Sequence, residues 1–203
     1  MVIVNAVLSA LLNLLVLAGF PFLFYFAWQK WKWKRPFREI VQRAGLQLGA
    51  VRYIGYSLAF AIVSVAVVAA WLPAERLARE GSAGRQFVGL GLGGTSITLA
   101  LLYGVIKTGF SEEFLFRGLI AGSLSRRLPI AWANVVQAFI FLIPHLFLLL
   151  IMPNMWGFLI VVFAGALFLG WVRIKSGSIL GPWLIHASLN VTMGLGVAIG
   201  TAP

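Results

Sequence analysis

The stretch FSEEFLFRGLIAGSLS, residues 110–125, decides how the rest of the chain is counted. It is apolar enough to enter a membrane. It is too short to cross one comfortably, because a hydrocarbon core about 30 Å thick takes about 20 residues at 1.5 Å each. It also carries Glu112, Glu113 and Arg117. A charge at mid-membrane costs about 2.5–3.5 kcal/mol on insertion scales, so a segment that keeps three is a functional hypothesis by default. Outward from it, apolar stretches near or at spanning length run roughly over 3–28, 53–72, 87–106, 130–151, 156–172 and 178–200. The pattern predicts an all-α polytopic transmembrane bundle of six to eight helices. Residues 110–125 are expected as a short, broken or re-entrant helix, with Gly104 and Gly109 flanking the break. Such backbone is tolerated at depth only inside protein or against a wet cavity.

Composition agrees. Of 203 residues, 61% are hydrophobic and 10% charged, against about 25% charged in a soluble domain. The chain has no cysteine and no aspartate. That excludes a thiol nucleophile, a thiolate metal site, a disulfide and a two-aspartate protease. Acid-base chemistry must draw on Glu39, Glu75, Glu80, Glu112 and Glu113, and on His145 and His186.

The first stretch lacks a basic n-region and is followed by positive charge, so it reads as a retained anchor and not as a cleaved signal. After it come Trp28, Trp31 and Trp33 interleaved with Lys30, Lys32, Lys34 and Arg35, then Arg38, Arg43 and Arg52. The positive-inside rule puts the loop 29–52 in the cytoplasm and the N-terminus outside, with the tryptophans in a headgroup belt. The net charge of +11 therefore reports orientation and contact with anionic lipid. A nucleic-acid partner is not expected, since the basic-aromatic run abuts a span. The segment 73–86, with Glu75, Arg76, Arg79, Glu80 and Arg85, is nearly balanced, as suits the outside. Arg126-Arg127 and Arg173/Lys175 fall inside if 110–125 does not cross. The chain divides into 1–87, two spans with a basic loop, and 88–203, the rest of the membrane core, within one continuous domain. Gly89 and Gly93 make a small-xxx-small pair suited to close helix packing.

Three polar clusters sit on membrane segments. Glu113 and Arg117, four apart, share a helix face and can pair. Glu112 points about 100° away. Burial and the neighbouring carboxylate should raise its pKa toward that of a general base. Alternatively, Ser111 caps a helix whose first turn welcomes glutamate. The second cluster is Phe141 and His145 on one face, with Pro144 removing a backbone donor. The third is His186 and Asn190, again four apart. Each histidine alone could be interhelical glue, worth about 0.6 kcal/mol per pair. Together, all three clusters are best served by one solvated chamber.

One carboxylate, two imidazoles and an amide form a hydrolytic kit. A glutamate can take a proton from water, and a histidine can hold that water or share the proton. A histidine and an asparagine can donate to an oxyanion. Glu112, His145 and His186 equally make a zinc set with an open position, and sequence leaves the two versions open. There is no His-Glu-x-x-His and no Gly-x-Ser-x-Gly, which removes the zincin and serine-elbow signatures.

In order, Glu112-Glu113…Arg117, Phe141…His145 and His186…Asn190 resemble the Glu-Glu-x-x-x-Arg, Phe-x-x-x-His and His-x-x-x-Asn/Asp motifs of the CAAX prenyl protease and bacteriocin-processing family (CPBP, or Abi, intramembrane proteases). The resemblance covers roughly residues 88–200. It implies an intramembrane endopeptidase with Glu112 and His145 activating water and His186 and Asn190 as the oxyanion site. Glu113, Arg117 and Phe141 would support them. Family members are described both as metalloproteases and as metal-free glutamate enzymes; the metal-free version is favoured, with zinc as the alternative cofactor. The implied substrate is a prenylated, leader or membrane peptide, and the implied place a prokaryotic plasma membrane. The competing expectations are a non-catalytic scaffold or immunity protein of the same fold, and a proton-coupled transporter, which lacks the expected repeat symmetry.

Overall fold

A computed structural model describes residues 1–71, 74–151 and 153–202. All regular structure among the described residues is helical. The long helices are α1 (Val2–Trp33), α3 (Val51–Trp71), α4 (94–124), α5 (Ile130–Leu146), α6 (Trp156–Ser176) and α7 (Leu180–Gly200), with the short α2 (Phe37–Arg43) after α1. Among the described residues, five helices are long and apolar enough to cross a membrane. Their surfaces are inverted relative to a soluble protein. Phe24, Ile62, Val63, Phe139, Ile160 and Val161 are exposed, while Glu113, Arg117, Gln137 and Ser57 are fully buried. Apolar side chains left outside and polar ones tucked inside suit a lipid solvent, where each buried polar group must find a partner in protein. The chain is an all-α, multi-pass membrane protein.

Two sequence expectations are corrected. Residues 87–106 are not one span. Backbone 88–93 is non-helical, with Gly89 at φ +73° and Gly91 at φ +60°. Left-handed backbone there is glycine's province, and a Cβ on Gly89 or Gly93 would meet nothing within 4 Å. These glycines serve a turn and not a helix-packing seam. Residues 110–125, in turn, are not a separate, broken helix. They are the second half of α4, which is helical from 94 to 124. One continuous run of helix thus replaces the expected span and separate segment. Instead of breaking, α4 widens into π-turns over Leu102–Phe110 and Glu113–Ala121. The widening has local signatures: Thr108 Oγ1 donates to the Tyr103 carbonyl (2.9 Å) and Ser111 Oγ to that of Ile106 (3.0 Å), both five residues back. π-Bulges of this kind are frequent at functional sites.

The contacts divide into two compact units, each drawing on residues from both sides of position 87. The first comprises Met1–Gly19, Tyr56–Glu112 and Trp183–Pro203. In it, the N-terminal part of α1 packs on the π-segment Leu102–Phe110. Phe87, Leu99, Ala100, Val197 and Ala198 form its buried core. The charge balance read over 73–86 falls partly on Glu75 and Arg76, whose side chains lie outside the described residues.

The second unit comprises Phe20–Gly55 and Glu113–Pro182. Here α5 and α6 pack along their lengths and both meet Glu113–Ala121. Phe116, Ala138, Phe141 and Ala166 are its core. The α5–α6 seam is polar. Asn134 donates to the Leu167 carbonyl (2.9 Å) and Gln137 to that of Ala166 (2.8 Å). A Cβ on Gly170 would lie 2.1 Å from Gln137 Nε2, so this glycine makes room for the bonded pair. At one end of the unit, Arg126 and Arg173 both donate to the Arg43 carbonyl, at 3.3 and 3.0 Å. The basic loop, the turn after α4 and the end of α6 thus come together.

Candidate active site

In the first unit the site starts from glycines. A Cβ on Gly104 would lie 2.8 Å from the Val191 nitrogen and 3.1 Å from the Ala187 oxygen. One on Gly109 would lie 3.3 Å from Trp183 Cδ1 and 3.4 Å from Ala187 Cα. These two residues, expected to mark a break, are instead the bed on which α7 lies. Trp183 fixes the approach by donating from Nε1 to the Val105 carbonyl (2.8 Å), its ring edge-on to Phe110. Ala187 and Val191 touch Gly104, so the residues just before them, His186 and Asn190, are carried to the polar face of α4.

There, His186 Nε2 lies 4.0 Å from Glu112 Oε2, and both side chains keep a little exposure, 15% and 20%. Asn190 is buried and donates from Nδ2 to Thr108 Oγ1 at 2.7 Å. Thr108 was not a sequence candidate. It stands four residues before Glu112 on α4, and that spacing is the signal that could have found it. Ser111 is fully buried in mid-helix and bonds backward along α4. It caps nothing, so the helix-start explanation of the glutamate pair does not hold. Ser188 donates to the Leu184 carbonyl of its own helix (2.7 Å).

In the second unit, Glu113 Oε1 and Arg117 Nη1 pair at 3.0 Å with both side chains fully buried. The Arg117 guanidinium lies 4.1 Å from the centre of the Phe141 ring. Phe116 meets that ring edge-on at 4.9 Å. Across it, the His145 ring centre is 4.6 Å away. His145 Nδ1 is 2.9 Å from the Phe141 carbonyl. A carbonyl only accepts, so Nδ1 is the donor in this bond. Glu113, Arg117, Phe141 and His145 form one contiguous stack, as their i,i+4 spacings within two helices foretell.

The three motif segments, in this order on membrane helices of which the first is π-widened, match a family model. It is described as type II CAAX prenyl endopeptidase Rce1-like, and it matches residues 94–192. The match covers 99 of the 203 residues, and over them the chain is similar to that family. That description is of a CAAX prenyl endopeptidase, and the matched segment holds every motif residue named above. No curated protein and no solved structure matches the chain. Among the described residues, histidines and carboxylates do not gather in threes. Within the first unit of the Rce1-like segment, the pair Glu112–His186 and the hydrogen-bonded Asn190 offer acid-base and hydrogen-bonding chemistry.

Proposed function

We propose that the chain hydrolyses a peptide bond of a membrane-associated substrate with water activated by Glu112. The observation that carries this reading is the Glu112–His186 pair, 4.0 Å apart on membrane helices and partly open. At that distance one water oxygen can hydrogen-bond both groups with legs of about 2.8 Å. Glu112 takes a proton from this water as its oxygen attacks the peptide carbonyl. The resulting oxyanion accepts from His186 and from the Asn190 N–H that Thr108 does not use. Preorganised donors of this type contribute about 3–4 kcal/mol each. The protonated Glu112 then gives its proton to the departing nitrogen, the C–N bond breaks, and a carboxylate and an amine are left. His145 is assigned to help activate the water. That assignment rests on the Phe-x-x-x-His motif and on the Nδ1 bond to the Phe141 carbonyl that holds the ring. Glu113, Arg117 and Phe141 position His145 through their stack. The peptide ends in a prenylated cysteine motif or carries a leader, and the protein works in a prokaryotic plasma membrane with loop 29–52 in the cytoplasm.

The test is cleavage of a fluorogenic peptide library by purified protein, with and without a chelator, alongside zinc analysis. Cleavage that survives full chelation supports the metal-free reading. Chelation that abolishes it, restored by zinc, replaces it with the version in which Glu112, His145 and His186 hold the metal. No cleavage by demonstrably folded protein leaves the scaffold.

A further inference from the structure

The geometry points to a binding site for a phosphate-type anion at the basic end of the second unit, held by the guanidinium groups of Arg43, Arg126 and Arg173. The three belong to segments far apart in sequence, yet Arg126 and Arg173 converge on one backbone oxygen, that of Arg43. They border an open cavity of about 330 Å³, lined also by Gln47, Glu39 and Gly177. That is the liquid volume of about ten waters, enough for a phosphate group and the first atoms attached to it.

Charge is unbalanced there. Glu39 is the only carboxylate in the lining, and its Oε1 already serves both Arg35 (3.0 Å) and Arg43 (2.7 Å). Among the described residues of this unit, Arg126 and Arg173 make no ion pair; their bonds go to the Arg43 carbonyl, Tyr25 and Ser123. Arg173 is 5% exposed, and its Nε is a buried donor with no acceptor. Burial holds the Arg126 guanidinium below its ordinary range. Arg43, Arg35 and Arg127 add to this, and Tyr25 opposes it.

The backbone is shaped to keep Arg173 there. Gly45 stands at φ +83°, and a Cβ on it would lie 2.7 Å from Arg173 Nε. Gln47 holds the opposite wall by donating to the Gly177 carbonyl (2.9 Å). Guanidinium forks that outnumber the one carboxylate beside them are matched by a phosphate, whose oxygens accept bidentate pairs. Lys32 over Trp28 and Arg35 over Trp33 mark the same unit with interfacial aromatics, which places a lipid headgroup within reach.

The experiment uses the purified full chain in neutral detergent. Its melting temperature is followed at constant ionic strength against short-chain phosphatidylglycerol, phosphatidylcholine or inorganic phosphate. Phosphatidylglycerol is expected to raise it saturably and phosphatidylcholine not to. Arg126→Gln should weaken the midpoint at least tenfold. Arg127→Gln, which removes the same charge one residue away and outside the lining, should change it less than twofold. If Arg126→Gln does not purify folded, Arg126→Lys takes its place, with at least a threefold weakening expected from loss of the fork. Saturation by inorganic phosphate as well identifies a free anion as an occupant, and saturation by phosphatidylglycerol alone identifies the headgroup. Equal effects of the two arginine changes, equal effects of the two lipids, or no saturable response to any probe would overturn the proposal.

Discussion

Replacing Arg117 with alanine should be among the most damaging single changes in the second unit. Both Arg117 and Glu113 are fully buried, and their charged atoms are 3.0 Å apart. Removing one partner of such a pair costs about 3–5 kcal/mol, because the other charge stays buried without its counter-charge. The guanidinium also covers the Phe141 ring at 4.1 Å, a contact worth about 2 kcal/mol when desolvated. Part of that loss is already counted in the first figure. For a chain of this length, 1 kcal/mol moves the melting temperature by about 2–4 °C, so a fall of about 6–20 °C is expected. Melting followed by tryptophan fluorescence in detergent measures it. The double variant Glu113→Leu/Arg117→Met supplies the control, since replacing both charges by apolar groups is often near neutral. It should melt well above Arg117→Ala. Near-normal melting of Arg117→Ala would refute the reasoning, because it would show the pair to be solvated.

Two further outcomes follow from the first unit. Gly104→Ala puts a Cβ 2.8 Å from the Val191 backbone; α7 must shift, at about 1–3 kcal/mol for overpacking, which lowers the melting temperature and displaces His186 and Asn190, so peptide cleavage should fall with it. Thr108→Val removes the acceptor of Asn190 Nδ2, costing about 1–3 kcal/mol for a buried donor left without one. The same change should lower kcat about tenfold, equivalent to about 1.4 kcal/mol, with KM little changed, and Thr108→Ser should restore it.

The helical class, the membrane spans and the i,i+4 pairings were legible because each rests on periodicity or on the cost of burying charge. Glu113 and Arg117 pair as their spacing requires, and Phe141 and His145 share a face as theirs does. The course of 87–125 was not legible. Glycine marks both a turn and a close helix contact, and composition does not separate them: Gly89 is a turn, while Gly104 and Gly109 are a packing bed. Nor does sequence announce π-turns, which replace i→i+4 bonds by i→i+5 without changing residue type. Thr108 was not legible, because a threonine in an apolar helix usually bonds its own backbone. Thr108 does so, and accepts from Asn190 as well. The basic residues were read only as marks of orientation and lipid contact; the convergence of Arg43, Arg126 and Arg173 was not legible because they are scattered along the chain.

The central claim is that Glu112 is the base that activates water. Its most direct test is peptide cleavage by Glu112→Gln, purified beside the unaltered protein, with melting temperatures compared. The amide keeps the size and hydrogen bonding of the carboxylate but cannot take a proton. A general base contributes about 10²–10⁴-fold, so cleavage should fall at least a hundredfold while melting stays within a few degrees. Full cleavage by a folded Glu112→Gln protein would contradict the account.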